Sequence, residues 1–517
     1  MKWQDTSERK GLWILLALMT AKVVLQYLLI HPSYDLHRDE YLHLDQANHL
    51  AWGFISVPPF TSWVAWVIKA LGNDVFWVKF FPALFGSLTV LYVWKIVEEL
   101  GGNLFARTIA AMAIVFSVIL RINTLFQPNT FEIFFWTAFY FYLIRYINRK
   151  KAIDLYIMAL VLALAFLNKY NVLFLGAGLL PALLVSPQRK MLASKHLWFA
   201  LALFLFLIHG NIIWQIHNGI PFIRHMKELA DTQLVNMSRM DFMKEQFLFF
   251  LNSIFLLVFA FFGCFRYAPF KPYRFVFLGF VISIILYIYF RAKGYYSIGL
   301  YPVLIGFGAV YFEQLTRNRN NIRVLGIAFL ILVFLPFVRL AFPYMKAEKM
   351  VADTTFYRDA GLLKWEDGKE HHMQQDFADM LGWRELAYKV DSAVNTLKEK
   401  DEVLILASNY GQAGAINYYS INALHAVSFN ADYLNWFRMD KRITHIVRVL
   451  DVDEDDDDPE RTQERSLCDT LILAGEITNP YAREKGTKIW LMKNVKPEVR
   501  GVIEAELKSK KSKYSSD

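Results

Sequence analysis

Apolar residues along this chain gather into blocks divided by short polar stretches. Eleven blocks lie at 11–30, 75–97, 105–120, 131–147, 153–167, 172–186, 197–214, 246–264, 275–290, 297–315 and 324–342. They are close to the length of about 20 residues with which a helix crosses a bilayer. The pattern predicts a polytopic α-helical membrane protein with about eleven transmembrane helices. The first block, preceded by Arg9 and Lys10, is long for a signal sequence and has no small-x-small cleavage site, so it is expected to stay as a span.

Two polar stretches are too long to be simple connectors. In 31–74, apolar residues recur three and four apart at 41–52 and again at 60–71, which predicts amphipathic helices lying on the membrane surface. The stretch 215–245 has the same mixed character. Beyond Phe342 the spanning pattern stops. The division expected is therefore a membrane part, 1–343, and a soluble α/β domain, 344–517. Strands are predicted at 403–407, 443–450 and 488–492, a glycine-containing turn at 410–414 and a helix from 415 to 420. No internal repeat is evident.

Charge gives the sidedness. Arg145, Arg149, Lys150 and Lys151 fill one loop, Arg189, Lys190 and Lys195 the next of the same side. Arg266, Lys271 and Arg274, then Arg317, Arg319 and Arg323, continue the alternation; only the loop at 98–106 is weakly basic. Basic loops stay in the cytoplasm, so the N-terminus is expected inside and the C-terminal domain outside. The composition agrees: 55% of the 517 residues are hydrophobic and 20% charged, and the net charge of +9 is accounted for by these loops without nucleic acid. Cys264 and Cys468 lie far apart and suggest neither a disulfide nor a metal cluster.

The polar chemistry collects at the outer face. His37, Arg38, Asp39, Glu40 and Tyr41 follow the first span, with His43, Asp45 and Asn48 close behind. An acidic pair there suits a general base acting on a hydroxyl. Glu132 stands where an outer loop enters the fourth span, Lys169 in the turn after Leu167-Asn168, and Arg291 and Lys293 in a later outer turn with Tyr295 and Tyr296. Asn211, Trp214, Gln215 and His217 mark the outer end of the seventh span. Carboxylates and cations gathered at one membrane face suit an anionic, lipid-linked substrate, although a single cation there can instead be snorkelling to the interface. No metal is expected, since His37, His43 and His49 recur every six residues and share no helix face. The acidic run from Asp451 has Asp456 and Thr462 where a calcium loop needs glycine and glutamate. Residues 409–415 lack the glycine spacing of a dinucleotide fingerprint, and no Walker sequence is present.

With these segments in order, the chain resembles the GT-C superfamily of integral-membrane glycosyltransferases. The likeness is to the group that contains glycosyltransferase family 39, the protein O-mannosyltransferases and the aminoarabinose transferases. It is carried by Arg38-Asp39-Glu40-Tyr41 with Leu50-Ala51-Trp52-Gly53 and Pro58-Pro59, by Phe126-Gln127-Pro128 with Glu132 and Trp136, and by Leu167-Asn168-Lys169-Tyr170. Trp214-Gln215 with Asn218-Gly219 and Pro221, then Lys293-Gly294-Tyr295-Tyr296 with Tyr301-Pro302, continue it, and Asn409 to Ala415 resembles bacterial members with a periplasmic domain. Glu132, where aspartate is commoner, and Val57, where a polar residue is commoner, depart from the pattern.

The resemblance implies inverting transfer of a hexosyl or pentosyl group from a polyprenyl-phosphate donor to a lipid, glycan or protein acceptor, at the periplasmic face of a bacterial inner membrane. Asp39 would be the base, and Glu40 and Glu132 would position acceptor or sugar. Lys169, Arg291 and Lys293, with Arg38, Gln215, His217, Tyr295 and Tyr296, would hold the donor, without cofactor or metal. The rival reading is a transporter or flippase for a lipid-linked sugar, which would favour ionisable groups at mid-membrane and repeated halves.

Overall fold

A computed structural model describes residues 2–232, 234–458 and 461–513; the side chains of residues 2–7, 232, 236, 456 and 457 lie outside that description. In hydrocarbon every backbone N–H and C=O must be paired within the chain, and helices do this segment by segment. All eleven apolar blocks are accordingly mainly helical, although 105–120 is interrupted after Val115 and 246–264 after Phe249. The first half contains α1 (Lys2–Leu28), α2 (Arg38–Gln46), α3 (Phe60–Ala70), α4 (Val75–Glu99), α5 (Leu104–Val115), α6 (Val118–Ile122), α7 (Pro128–Arg149), α8 (Ala152–Asn168), α9 (Val172–Leu184) and α10 (Lys195–His217).

Among the described residues, six helices are long and apolar enough to cross a membrane, and up to eight if two bent pairs count as spans. The remaining blocks fall short for physical reasons. Helix α5 is brief, and α7 carries Glu132, Arg145 and Arg149, whose charges are answered inside the protein, as by the 3.1 Å pair of Arg145 with Asp154 on α8. Helices cross closely where side chains vanish: a Cβ at Gly178 of α9 would run into Ser283 and lie 2.6 Å from the Gly279 carbonyl. Small residues at such crossings are how membrane helices gain packing contact.

The C-terminal part holds a five-stranded sheet in the order β2-β1-β3-β5-β4, with β1 Val403–Ala407, β2 Ala426–Ser428, β3 His445–Leu450, β4 Cys468–Glu476 and β5 Lys488–Val495. Strands β2, β1 and β3 run parallel, Ile405 pairing with both Ala426 and Val447. Strands β5 and β4 add an antiparallel edge. The three predicted strands are present. Strands β2 and β4 were not foreseen, one because it has three residues, the other because an exposed edge leaves little alternation to see.

Two local expectations are corrected. The expected turn at 410–414 is the start of a helix, Tyr410–Tyr419, because the Asn409 side chain caps it by accepting from the Gln412 N–H at 3.0 Å. And α2 does not lie on the membrane surface. Its residues from Glu40 to Gln46 are all buried, pressed between the bundle and the Tyr410–Tyr419 helix. Tyr41 packs there against Trp383, Tyr418 and Tyr419, with ring centroids 5.7–5.9 Å apart. Gly414 makes the approach possible, since a Cβ there would stand 2.6 Å from that of Tyr41.

Candidate active site

The site is built outward from the first turn of α2. His37 caps the helix, its Nδ1 accepting from the Asp39 N–H at 3.3 Å. Its Nε2 faces Asp379 of the C-terminal domain at 3.8 Å. The cap sends successive carboxylates in opposite directions. Glu40 turns inward and is fully buried. It accepts from the N–H groups of His37 and Phe126, each at 2.7 Å, and pairs with Lys79 of α4 at 2.7 Å. All its capacity is spent on joining α2, α4 and the chain before α7, so it presents nothing to a ligand.

Asp39 turns the other way and stays open, its side chain 39% exposed. Its Oδ1 accepts from the Tyr410 hydroxyl at 2.6 Å and its Oδ2 from the Gln127 amide at 3.2 Å. Burial of its surroundings works against its charge. His37 and Arg38, and the Tyr410 hydroxyl, outweigh that and hold the carboxyl below its usual value. Asp39 is an anion at any ordinary pH, and its side chain stays partly open to a ligand.

From Gln127 a polar string leads to the cations. Asn129 donates to Gln127 Oε1 at 3.4 Å, and Lys169 donates to Asn129 Oδ1 at 2.6 Å. Lys169 also lies 3.5 Å from Glu132 and 4.1 Å above the Tyr296 ring. Asn171 ties the far end, donating to Glu132 Oε1 at 2.7 Å and to the Tyr296 carbonyl at 2.9 Å. Tyr295 stacks edge-on with Tyr296 and lies within electrostatic range of Asp39. Lys293, one turn earlier, pairs at 3.2 Å with Glu366 of the C-terminal domain and is close enough to Lys169 to be felt by it.

The expected site residues therefore fall into two groups. Asp39, Glu132, Lys169, Lys293, Tyr295 and Tyr296 fall in one linked group, with Arg38 beside Asp39, its guanidinium 4.8 Å over the Tyr410 ring. The others stand apart. Gln215 is buried, donating to the Tyr170 hydroxyl at 3.0 Å. His217 is exposed at the end of α10, and Arg291 turns away to the Val235 carbonyl at 3.1 Å. Sequence reasoning quoted Gln127 and Tyr410 within motifs but assigned neither a role, and it missed Lys79, Asn171 and Glu366. Gln127 was visible beside Pro128 as part of a motif, whereas Lys79 was hidden in an apolar block. Tyr410 and Glu366 lie more than 300 residues from the α2 cluster.

Beside the Gly294 turn runs an apolar groove of about 500 Å³ lined by Met243, Gln246, Phe247, Leu257, Phe261 and Tyr301, among others. Gln246 joins groove to site: it donates to the Gly294 carbonyl at 3.0 Å and accepts from Ser297 and Tyr301. Among the described residues, no group of three or more His, Cys, Asp or Glu side chains is placed to hold a metal ion.

The fold is shared with solved membrane proteins, and one stretch of the chain matches a family model. Residues 56–214 match the sequence model of the dolichyl-phosphate-mannose-protein mannosyltransferase family. The lipid A galacturonosyltransferase RgtD of Rhizobium johnstonii is 26% identical over 252 residues, which are 47% of this chain and 51% of that protein. The chain thus spans about half the length of this curated relative. ArnT from Cupriavidus metallidurans, solved in the apo state, superposes with a TM-score of 0.66 at 13% identity, covering 94% of this chain and 98% of ArnT. Its complex with undecaprenyl phosphate gives 0.62 at 12% identity, over 93% and 98%. The oligosaccharyltransferase AglB from Archaeoglobus fulgidus, in complex with an inhibitory peptide and a dolichol-phosphate, gives 0.51 at 10% identity, over 86% and 69%.

Proposed function

We propose that this protein is a glycosyltransferase that moves a sugar from a polyprenyl-phosphate donor to an acceptor hydroxyl at the outer face of a bacterial inner membrane, with inversion. The observation that carries the reading is the grouping of Asp39, an accessible and ionised carboxylate, with the cations Lys169 and Lys293, linked to it through Gln127, Asn129 and Tyr295. In the step proposed, the acceptor oxygen attacks the anomeric carbon while its proton passes to Oδ2 of Asp39. The bond from that carbon to the phosphate oxygen breaks, and its electron pair leaves with the polyprenyl phosphate. A single displacement of this kind inverts the anomeric centre. Lys169 and Lys293 neutralise the charge that grows on the leaving phosphate. Glu132, fixed by Lys169 and Asn171, faces the sugar, and the Tyr295–Tyr296 pair gives it an aromatic wall.

The apolar groove beside Gly294 suits the prenyl tail of such a donor, because it reaches the cationic turn through Gln246. The undecaprenyl phosphate held by ArnT supports that lipid class, and the activity of RgtD supports lipid A as the acceptor class. The purified protein supplied with a panel of polyprenyl-phosphate sugars and lipid A is expected to release free polyprenyl phosphate only when donor and acceptor are both present. Sugar movement across sealed vesicles without any transfer product would favour a flippase instead.

A further inference from the structure

Asp39 is held from two directions, and one of them is the C-terminal domain. Gln127 of the bundle reaches Oδ2 at 3.2 Å, and Tyr410 reaches Oδ1 at 2.6 Å. The latter length is that of a hydroxyl bonded to an ionised acceptor. A partly open carboxylate swings freely about its Cβ–Cγ bond unless both oxygens are engaged. Two donors on opposite oxygens fix the plane and leave the outer lone pair of Oδ2 for a ligand. We propose that Tyr410 is a positioning residue for Asp39, so that the soluble domain completes the base. The inference rests on the assignment of Asp39 as that base.

The alternative role is simple docking, and the rest of the interface bears on it. Asp35 accepts from the Trp383 N–H at 3.1 Å and pairs with Arg384 at 3.0 Å. Asp45 accepts from the Tyr433 hydroxyl at 2.7 Å and from Asn417 at 2.6 Å. Asp432 accepts from the Ile55 N–H at 2.6 Å and from Gln46 at 2.9 Å. These contacts seat the domain without Tyr410, and all three of their carboxylates are buried. Asp39 is different: it meets the domain and still opens to a ligand. Tyr410 also stands directly after β1 and the Asn409 cap, at the carboxyl edge of the parallel strands, where open α/β sheets present their functional groups. Burial and the Asp39 charge raise the Tyr410 hydroxyl well above its usual range. It therefore keeps its proton and serves as donor only, and the acceptor's proton goes to Oδ2.

The test compares Tyr410→Phe with Tyr433→Phe, which removes a docking hydrogen bond of similar length made to Asp45 rather than to Asp39. Tyr410→Phe is expected to lower kcat about tenfold or more at neutral pH, leave the donor KM unchanged, and move the acid limb of the pH profile up by about one pH unit. Tyr433→Phe is expected to stay within about twofold of wild type with its acid limb unmoved. Should Tyr410→Phe fail to insert, 3-fluorotyrosine at 410, a stronger donor, is expected to move the acid limb down. Equal losses in the two phenylalanine variants, or an acid limb unmoved by either change at 410, would overturn the proposal. Full activity of Asp39→Asn would instead remove the base assignment itself.

Discussion

Oδ1 of Asp39 accepts a 2.6 Å hydrogen bond from the hydroxyl of Tyr410, 371 residues further along the chain. The bond joins the first turn of α2 to the first turn of the helix after β1, so membrane bundle and soluble domain meet at this carboxylate. The neighbouring carboxylate, Glu40, faces the opposite way and is consumed by Lys79 and two backbone amides. Adjacent residues of one helix turn thus present an open carboxylate and a buried one.

The first consequence concerns pH. His37, Arg38 and Tyr410 outweigh burial and depress the Asp39 pKa. A depressed carboxyl contributes stability that is present above its unfolded value, near 3.9, and lost as pH falls through the folded one. Its charge as a base follows the same course. The pH profile of kcat/KM is expected to show no acid limb from this group between about pH 5 and 7. A limb centred near pH 6 that vanishes in Asp39→Glu would contradict this account of its surroundings.

Glu40 is expected to matter through folding. Glu40→Gln leaves Lys79 buried without its counter-charge, a loss of about 3–5 kcal/mol in such pairs. Thermal unfolding in detergent should show a large drop in Tm, and Glu40→Gln combined with Lys79→Met should recover much of it. Full stability of the single variant with no activity would instead make Glu40 a catalytic group.

Lys293 and Glu366 are expected to act in opposite senses on donor affinity. Their 3.2 Å pair occupies the cation that the donor phosphate needs. Lys293→Ala should raise the donor KM about tenfold, and Glu366→Gln should lower it about twofold to fivefold, since the lost pair is partly exposed and screened. Isothermal titration with the polyprenyl phosphate reads both; an unchanged or weaker affinity in Glu366→Gln removes the competition.

A second pH effect lies within the soluble domain. Burial and the nearby Glu484 raise the Asp451 carboxyl, and Gln412 bridges the two side chains, 2.6 Å from Glu484. Here the sign reverses: the folded state binds the proton more tightly, so stability is present at low pH and falls as pH rises through the raised value. Tm should fall by about a few degrees from pH 5.5 to pH 8, and Glu484→Gln should flatten the slope. A Tm rising over that interval would rule the coupling out.

Much of this was legible from hydrophobic pattern. The apolar blocks are mainly helical, because lipid leaves the backbone no other way to pair its groups within one segment. Asp39, Lys169, Lys293 and the tyrosine pair were found because charge and aromatics beside a span are costly to keep without use. What escaped was set by tertiary docking. Helix α2 looked like a surface helix, since nothing local says that a domain 350 residues away covers its polar face. Lys79 was concealed among phenylalanines, and its need for Glu40 follows only from burial. Glu366 and Tyr410 lie in ordinary soluble sequence, and only the path of the chain brings them to the membrane site.

The central claim is that Asp39 is the base at a lipid-donor site, and mass spectrometry of the lipids co-purifying with wild type and with Asp39→Asn tests it most directly. The variant should fold, bind donor and fail to discharge it, so a glycosylated polyprenyl phosphate is expected to be enriched over wild type. The same lipid at equal levels in a fully active Asp39→Asn protein would contradict the claim.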